Sequence, residues 1–106
     1  MANQKDRSYF GIKGTDMTEA ALLEAGIENG ICITEVEADS PALAAGLQSG
    51  DMILTVDGVP IISMNSFYNQ LLSFAPKSKI KVSIQRNVKN EPKTLEVEVT
   101  LSKKVN

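Results

Sequence analysis

The chain contains no histidine and no tryptophan, and cysteine occurs once, as Cys32. Without histidine no Ser-His-Asp or Cys-His constellation can be assembled, and without a second cysteine no soft metal site is available. A lone thiol also forms no internal disulfide. Cys32 lies in the apolar run GICITEV and reads as a small buried hydrophobe rather than a nucleophile. The carboxylates are scattered singly; Asp51 and Asp57 invite a catalytic pairing, but each stands where a turn needs it. No catalytic residue, metal or cofactor is expected, and this chain by itself is not expected to be an enzyme.

Basic charge is scarce too. Eleven Lys and Arg against thirteen Asp and Glu leave a formal net charge of −2, which lacks the footprint a phosphate backbone demands, so nucleic acid is not an expected partner. No apolar run approaches the roughly 18 residues that would suggest a membrane span. The opening MANQKDRS has neither an apolar h-region nor a cleavage pattern, and no membrane contact is expected of this fragment. What is present, 106 residues of which 42% are hydrophobic and 23% charged, is the composition of one globular domain.

Short elements follow one another along it. Glycine at position 11 interrupts the apolar run Tyr9-Phe10-Gly11-Ile12, where a strand interior would lose roughly 0.5–1 kcal/mol relative to alanine, so either a bulge or a close approach to the backbone is implied. Asp16 or Thr18 then caps a helix over 18–25, with Gly26 as its stop. After the strand ICITEVE, Ser40 caps a second helix with Pro41 at its first position and Gly46 closing it. Asp57-Gly58 between apolar runs predicts a hairpin with a primed two-residue turn, its second arm an edge because Pro60 lacks a donor.

Phe67, Leu71 and Phe74, with Leu72 adjacent, mark an amphipathic helix over 64–74 that ends before Pro76. Alternation in KIKVSIQR and TLEVEVTL predicts two half-buried antiparallel strands, with NVKNEP as a polar loop between them and SKKVN as a frayed end. The expected class is α+β: a small, partly open antiparallel barrel or sandwich of five to six strands capped by two to three helices.

The ordered string Tyr9-Phe10-Gly11-Ile12, Gly30-Ile31-Cys32-Ile33, Ser40-Pro41-Ala42, Ala45-Gly46-Leu47, Gly50-Asp51-Met52-Ile53-Leu54, Val56-Asp57-Gly58 and Arg86 resembles a PDZ domain. It is most similar to the circularly permuted bacterial type found C-terminal to the protease domain of HtrA/Deg serine proteases. The resemblance implies a domain over residues 9–101, with 1–8 as a linker and 102–106 as a tail.

It also implies a peptide-binding module. The N–H groups of Phe10, Gly11 and Ile12 would receive a terminal carboxylate, Ile12, Lys13 and Gly14 would pair with the ligand as an added strand, and Phe10, Ile12, Phe67 and Leu71 would wall an apolar side-chain pocket. Gly11, on this reading, is bare so that a carboxylate can approach. The competing reading places these four apolar residues in the core, with another pair lining the groove, and leaves Lys13 as a solvated edge charge. The implied partners are C-terminal peptides of unfolded or substrate proteins and the protease domain of a parent chain, which would be exported or membrane-anchored. The same fold in another extracytoplasmic host, such as a tail-specific protease, a site-2-type metalloprotease or a secretion component, and a purely scaffolding domain are the alternatives.

Overall fold

The computed structural model describes residues 7–104. In chain order they form β1 (Arg7–Tyr9), β2 (Ile12–Asp16), α1 (Glu19–Ala25), β3 (Ile31–Val36), α2 (Pro41–Ala44), β4 (Met52–Val56), β5 (Val59–Pro60), α3 (Met64–Leu72), β6 (Lys79–Val88), β7 (Glu91–Thr100) and β8 (Ser102–Lys104). The main sheet is antiparallel in the order β2-β3-β4-β6-β7, with β5 paired to β4. The class is α+β as expected, and the partly open architecture is a six-stranded antiparallel sheet in which β2 and β7 stand at opposite edges, so it does not close.

Local chemistry accounts for most boundaries. Thr18 caps α1 by accepting from the Ala21 N–H at 3.1 Å, and Ser40 caps α2 by accepting from Leu43 at 3.1 Å with Pro41 as first helical residue. Asp57 and Gly58 both have positive φ, 50° and 82°, which is the primed turn that matches strand twist. The alternating faces of β6 and β7 bury Ile80, Val82, Ile84 and Val99 in the same core that holds Phe67 of α3.

Three expectations are corrected. NVKNEP is not a loop: Lys89 and Asn90 alone turn the chain, both with positive φ, and the strands run to Val88 and from Glu91. Pro92 is tolerated because β7 is an edge strand. SKKVN is not free either, since Ser102–Lys104 pairs with Arg7–Tyr9 as a separate two-stranded ladder. Residues 7–8 and 102–104, read as linker and tail, are thus joined to each other; the remainder of both segments lies outside the described residues. Cys32 is half-buried rather than buried, in register with Met52 across β3 and β4.

One ionic node holds α2 to the sheet. Arg86 of β6 donates from Nε to Asp51 Oδ1 at 2.8 Å and from Nη2 to Asp51 Oδ2 at 2.6 Å, and Nη2 also reaches the Gly46 carbonyl at 2.9 Å. Asp51 Oδ2 accepts the Gln48 N–H as well, at 2.9 Å. The hydrogen bond to Asp51 holds the guanidinium above its ordinary pKa.

Candidate functional site

The start of α3 is fastened to β2 and its end to β1. At its start, Ser63 and Ser66 form a reciprocal capping box, and the Asp16 carboxylate at the end of β2 accepts the Met64 N–H at 2.7 Å. A negative group at a helix N-terminus is favoured both by the free N–H groups and by the macrodipole. Asp16, one of two cap candidates for α1, therefore serves α3 instead. At the other end, the Ser8 hydroxyl donates to the Leu71 carbonyl at 3.0 Å. A Cβ on Gly14 would stand 2.8 Å from the Cys32 carbonyl oxygen and 3.0 Å from Met64 Sδ, so glycine there lets the start of α3 close on the strand.

Between the two elements lies a cleft of about 450 Å³, lined by Ser8, Tyr9, Phe10, Gly11, Ile12, Lys13 and Glu37 on one side and Phe67, Tyr68, Leu71 and Leu72 on the other. The floor is made by Phe10 and Phe67, whose rings meet edge-to-face at 5.1 Å. Such contacts add about 0.5–1.5 kcal/mol beyond burial. Phe10, Ile12, Phe67 and Leu71 all belong to the core, with Phe67 fully buried. The two readings of these residues are thus compatible, because the pocket floor is an open margin of the core. The helix rim is formed by Tyr68 and Leu72, 48% and 70% exposed; neither was among the expected pocket residues, though they repeat the Phe67/Leu71 spacing one position on.

Backbone polarity follows from register. Glu37 N–H donates to the Gly11 carbonyl at 2.9 Å, and Ile12 stands opposite Val36. That combination makes Ile12 and Val36 a non-hydrogen-bonded pair, so the Ile12 N–H and C=O point away from β3, along the unpaired edge of β2. Lys13, opposite Glu35, turns its backbone inward to β3, and the register shifts between Lys13 and Gly14. Just before the strand, the Phe10 carbonyl accepts from Ala42 N–H at 3.0 Å. The Phe10 and Gly11 N–H groups have no acceptor among the described residues.

Gly11 has a reason in the packing that the sequence did not disclose. Its φ is +95°, and a Cβ there would lie 2.2 Å from Ser40 Cβ and 2.7 Å from Ser40 Oγ. The cap of α2, packed against the loop, by itself leaves no room for a side chain there, and the Tyr9 hydroxyl oxygen of the cleft would stand 3.3 Å from the same Cβ. The bulge implied as an alternative falls between Lys13 and Gly14.

Within the cleft lining, the Tyr9 hydroxyl donates to Glu37 Oε1. That hydrogen bond first, then burial and the Glu37 charge, raise the Tyr9 pKa above its ordinary 10.0. A raised phenol contributes stability that is complete below the unfolded-state value and is lost as pH climbs through the folded one. In a Tyr68→Phe background, the phenolate absorbance should accordingly have its midpoint above pH 10, and Glu37→Gln should lower that midpoint; an unchanged midpoint would separate the two side chains in solution.

Comparison with known proteins bears on this geometry. A family model described as PDZ domain matches residues 8–99. The chain is 34% identical over 97 residues to the periplasmic pH-dependent serine endoprotease DegQ of Escherichia coli K12, covering 90% of this chain and 20% of that protein. It is 35% identical to the serine endoprotease DegS of the same organism, covering 90% and 26%. Among solved structures, the HtrA-type protease AlgW S227A with a decapeptide superposes with a TM-score of 0.84 at 23% identity, over 96% of this chain and 30% of that one. The HtrA3 PDZ domain bound to a phage-derived ligand, FGRWV, gives 0.75 at 22% identity, over 92% and 88%. The chain thus spans about a fifth to a quarter of the curated relatives it matches.

Proposed function

The chain belongs to the PDZ domain family, and from that premise we propose that its cleft captures free polypeptide C-termini by strand addition. The observation that carries the reading is the unpaired β2 edge, where the Ile12 N–H and C=O face outward beside the N–H groups of Phe10 and Gly11. Convergent amides of this kind suit a carboxylate, and the ligand's last side chain would drop toward Phe10, Ile12, Phe67 and Leu71. The solved relatives that carry a decapeptide and a phage-derived peptide support it.

Magnitudes set the scale. Each hydrogen bond to a charged group contributes roughly 1.5–3 kcal/mol, a buried apolar side chain a similar amount, and association costs at least about 4 kcal/mol. Affinity near micromolar, about −8 kcal/mol, is the upper end of what these contributions allow. We place the domain in an HtrA-like protease of an extracytoplasmic compartment, where captured ends of unfolded or substrate proteins would be presented to, or would regulate, a protease domain. The relatives' names support that host; a trypsin-like His, Asp and Ser set encoded upstream would decide it against a tail-specific protease, a site-2-type metalloprotease or a scaffold.

Binding is tested with a pair of apolar-ended peptides that differ only in a free or amidated C-terminus. Loss of at least one charged hydrogen bond should weaken the amidated peptide by roughly 10-fold or more, read by fluorescence anisotropy. Equal affinities would remove the carboxylate from the mechanism.

A further inference from the structure

The end of the cleft that would receive a carboxylate already holds one. Glu37 lines the same cleft as Gly11, and its side chain accepts from the Tyr9 hydroxyl, whose oxygen stands 3.3 Å from where a Gly11 Cβ would be. Those contacts keep the Glu37 carboxylate within roughly 8 Å of the Gly11 backbone. Two like charges that close, beside a low-dielectric floor, are not screened from each other at physiological salt.

Register shows which ligand atoms could relieve the repulsion. Ile12 and Val36 face the core; Lys13 and its partner Glu35 face the other way, and Glu37 continues the Glu35 face opposite Gly11. A strand added to β2 obeys the same alternation, so when its last side chain enters the pocket under α3, its penultimate side chain projects on the face of Lys13, Glu35 and Glu37. Lys13 is engaged by Glu35, Nζ to Oε1 at 3.8 Å. Glu37 has the neutral Tyr9 hydroxyl and makes no ion pair among the described residues.

We infer that Glu37 makes this groove select C-termini whose penultimate residue is cationic. The inference rests on the groove being a C-terminus site. A Lys or Arg there would lie between Glu37 and the ligand's own carboxylate and offset their repulsion, whereas a penultimate Glu would add a third negative charge.

The test uses labelled peptides with one apolar last residue and Lys, Ala or Glu before it, titrated by anisotropy into the unmodified domain and the Glu37→Gln variant, whose amide still accepts from Tyr9. The Lys peptide should bind about 10-fold more tightly than the Glu peptide, and the ratio should fall to about 2-fold in Glu37→Gln and shrink at high salt. A ratio unchanged by Glu37→Gln, or near unity from the start, overturns the assignment even if free ends bind. Amidated versions of the same peptides binding as well as the free ones would overturn the C-terminus reading itself.

Discussion

Replacing Gly11 with alanine should destabilise the domain by about 3 kcal/mol or more, as a fall in urea midpoint at unchanged slope. A left-handed backbone costs a residue with a Cβ about 1–2 kcal/mol, and at φ +95° Gly11 is in that region. The added carbon would also overlap Ser40 Cβ, 2.2 Å away. Something must shift, and the movable partner is the residue whose hydroxyl caps α2 and donates to the Glu37 carbonyl at 2.8 Å. Losing that cap costs about a further 1 kcal/mol.

Because the clash is with one named side chain, Gly11→Ala should cost distinctly less in a Ser40→Gly background, a coupling that a double-mutant cycle reads directly. The outcome also separates two reasons for the glycine. If Gly11→Ala left stability untouched and only abolished peptide binding, access for the ligand's carboxylate would be the reason after all. The packing against Ser40 predicts the opposite order, with stability lost first.

This position shows where sequence reasoning reached and where it stopped. A glycine in an apolar run announces that something comes close to the backbone, and it does. What comes close was not legible, because Ser40 is far along the chain and its role as helix cap explains it fully at the local level. The same limit explains Asp16, which satisfies a local capping rule for α1 yet bonds to Met64, 48 residues on.

Local rules succeeded where the determinants are local, as at Asp57-Gly58 and in the alternation of β6. They failed at Lys89-Asn90, where the same turn geometry is built without glycine, and at the β1 and β8 pairing, whose short strands carry no periodic signal. For the cleft, Phe67 and Leu71 were legible from helical spacing and the partner strand from the family resemblance. Tyr68, Leu72, Ser8 and Glu37 were not, since their place in the cleft depends on how the fastened ends of α3 set its position beside β2.

The node behind this loop should matter as much. Arg86→Ala should cost about 3–5 kcal/mol, because it strands the Asp51 carboxylate, whose side chain is 2% exposed, with its Gln48 N–H and no cation. A double replacement, Asp51→Leu with Arg86→Met, should cost less than Arg86→Ala alone, since neither charge is then left without its partner. The loss reaches the cleft by a short path: Arg86 also holds the Gly46 carbonyl just past α2, and α2 supports the Phe10–Gly11 loop through Ala42 N–H to Phe10 and through Ser40 against Gly11. Below its unfolded pKa the guanidinium is charged in both states, so its raised pKa predicts no pH dependence of this contribution across the neutral range. If Arg86→Ala unfolded at nearly the same urea concentration as the unmodified domain, water would be reaching Asp51, and α2 would be held by packing of Ala42 and Leu47 rather than by the ion pair.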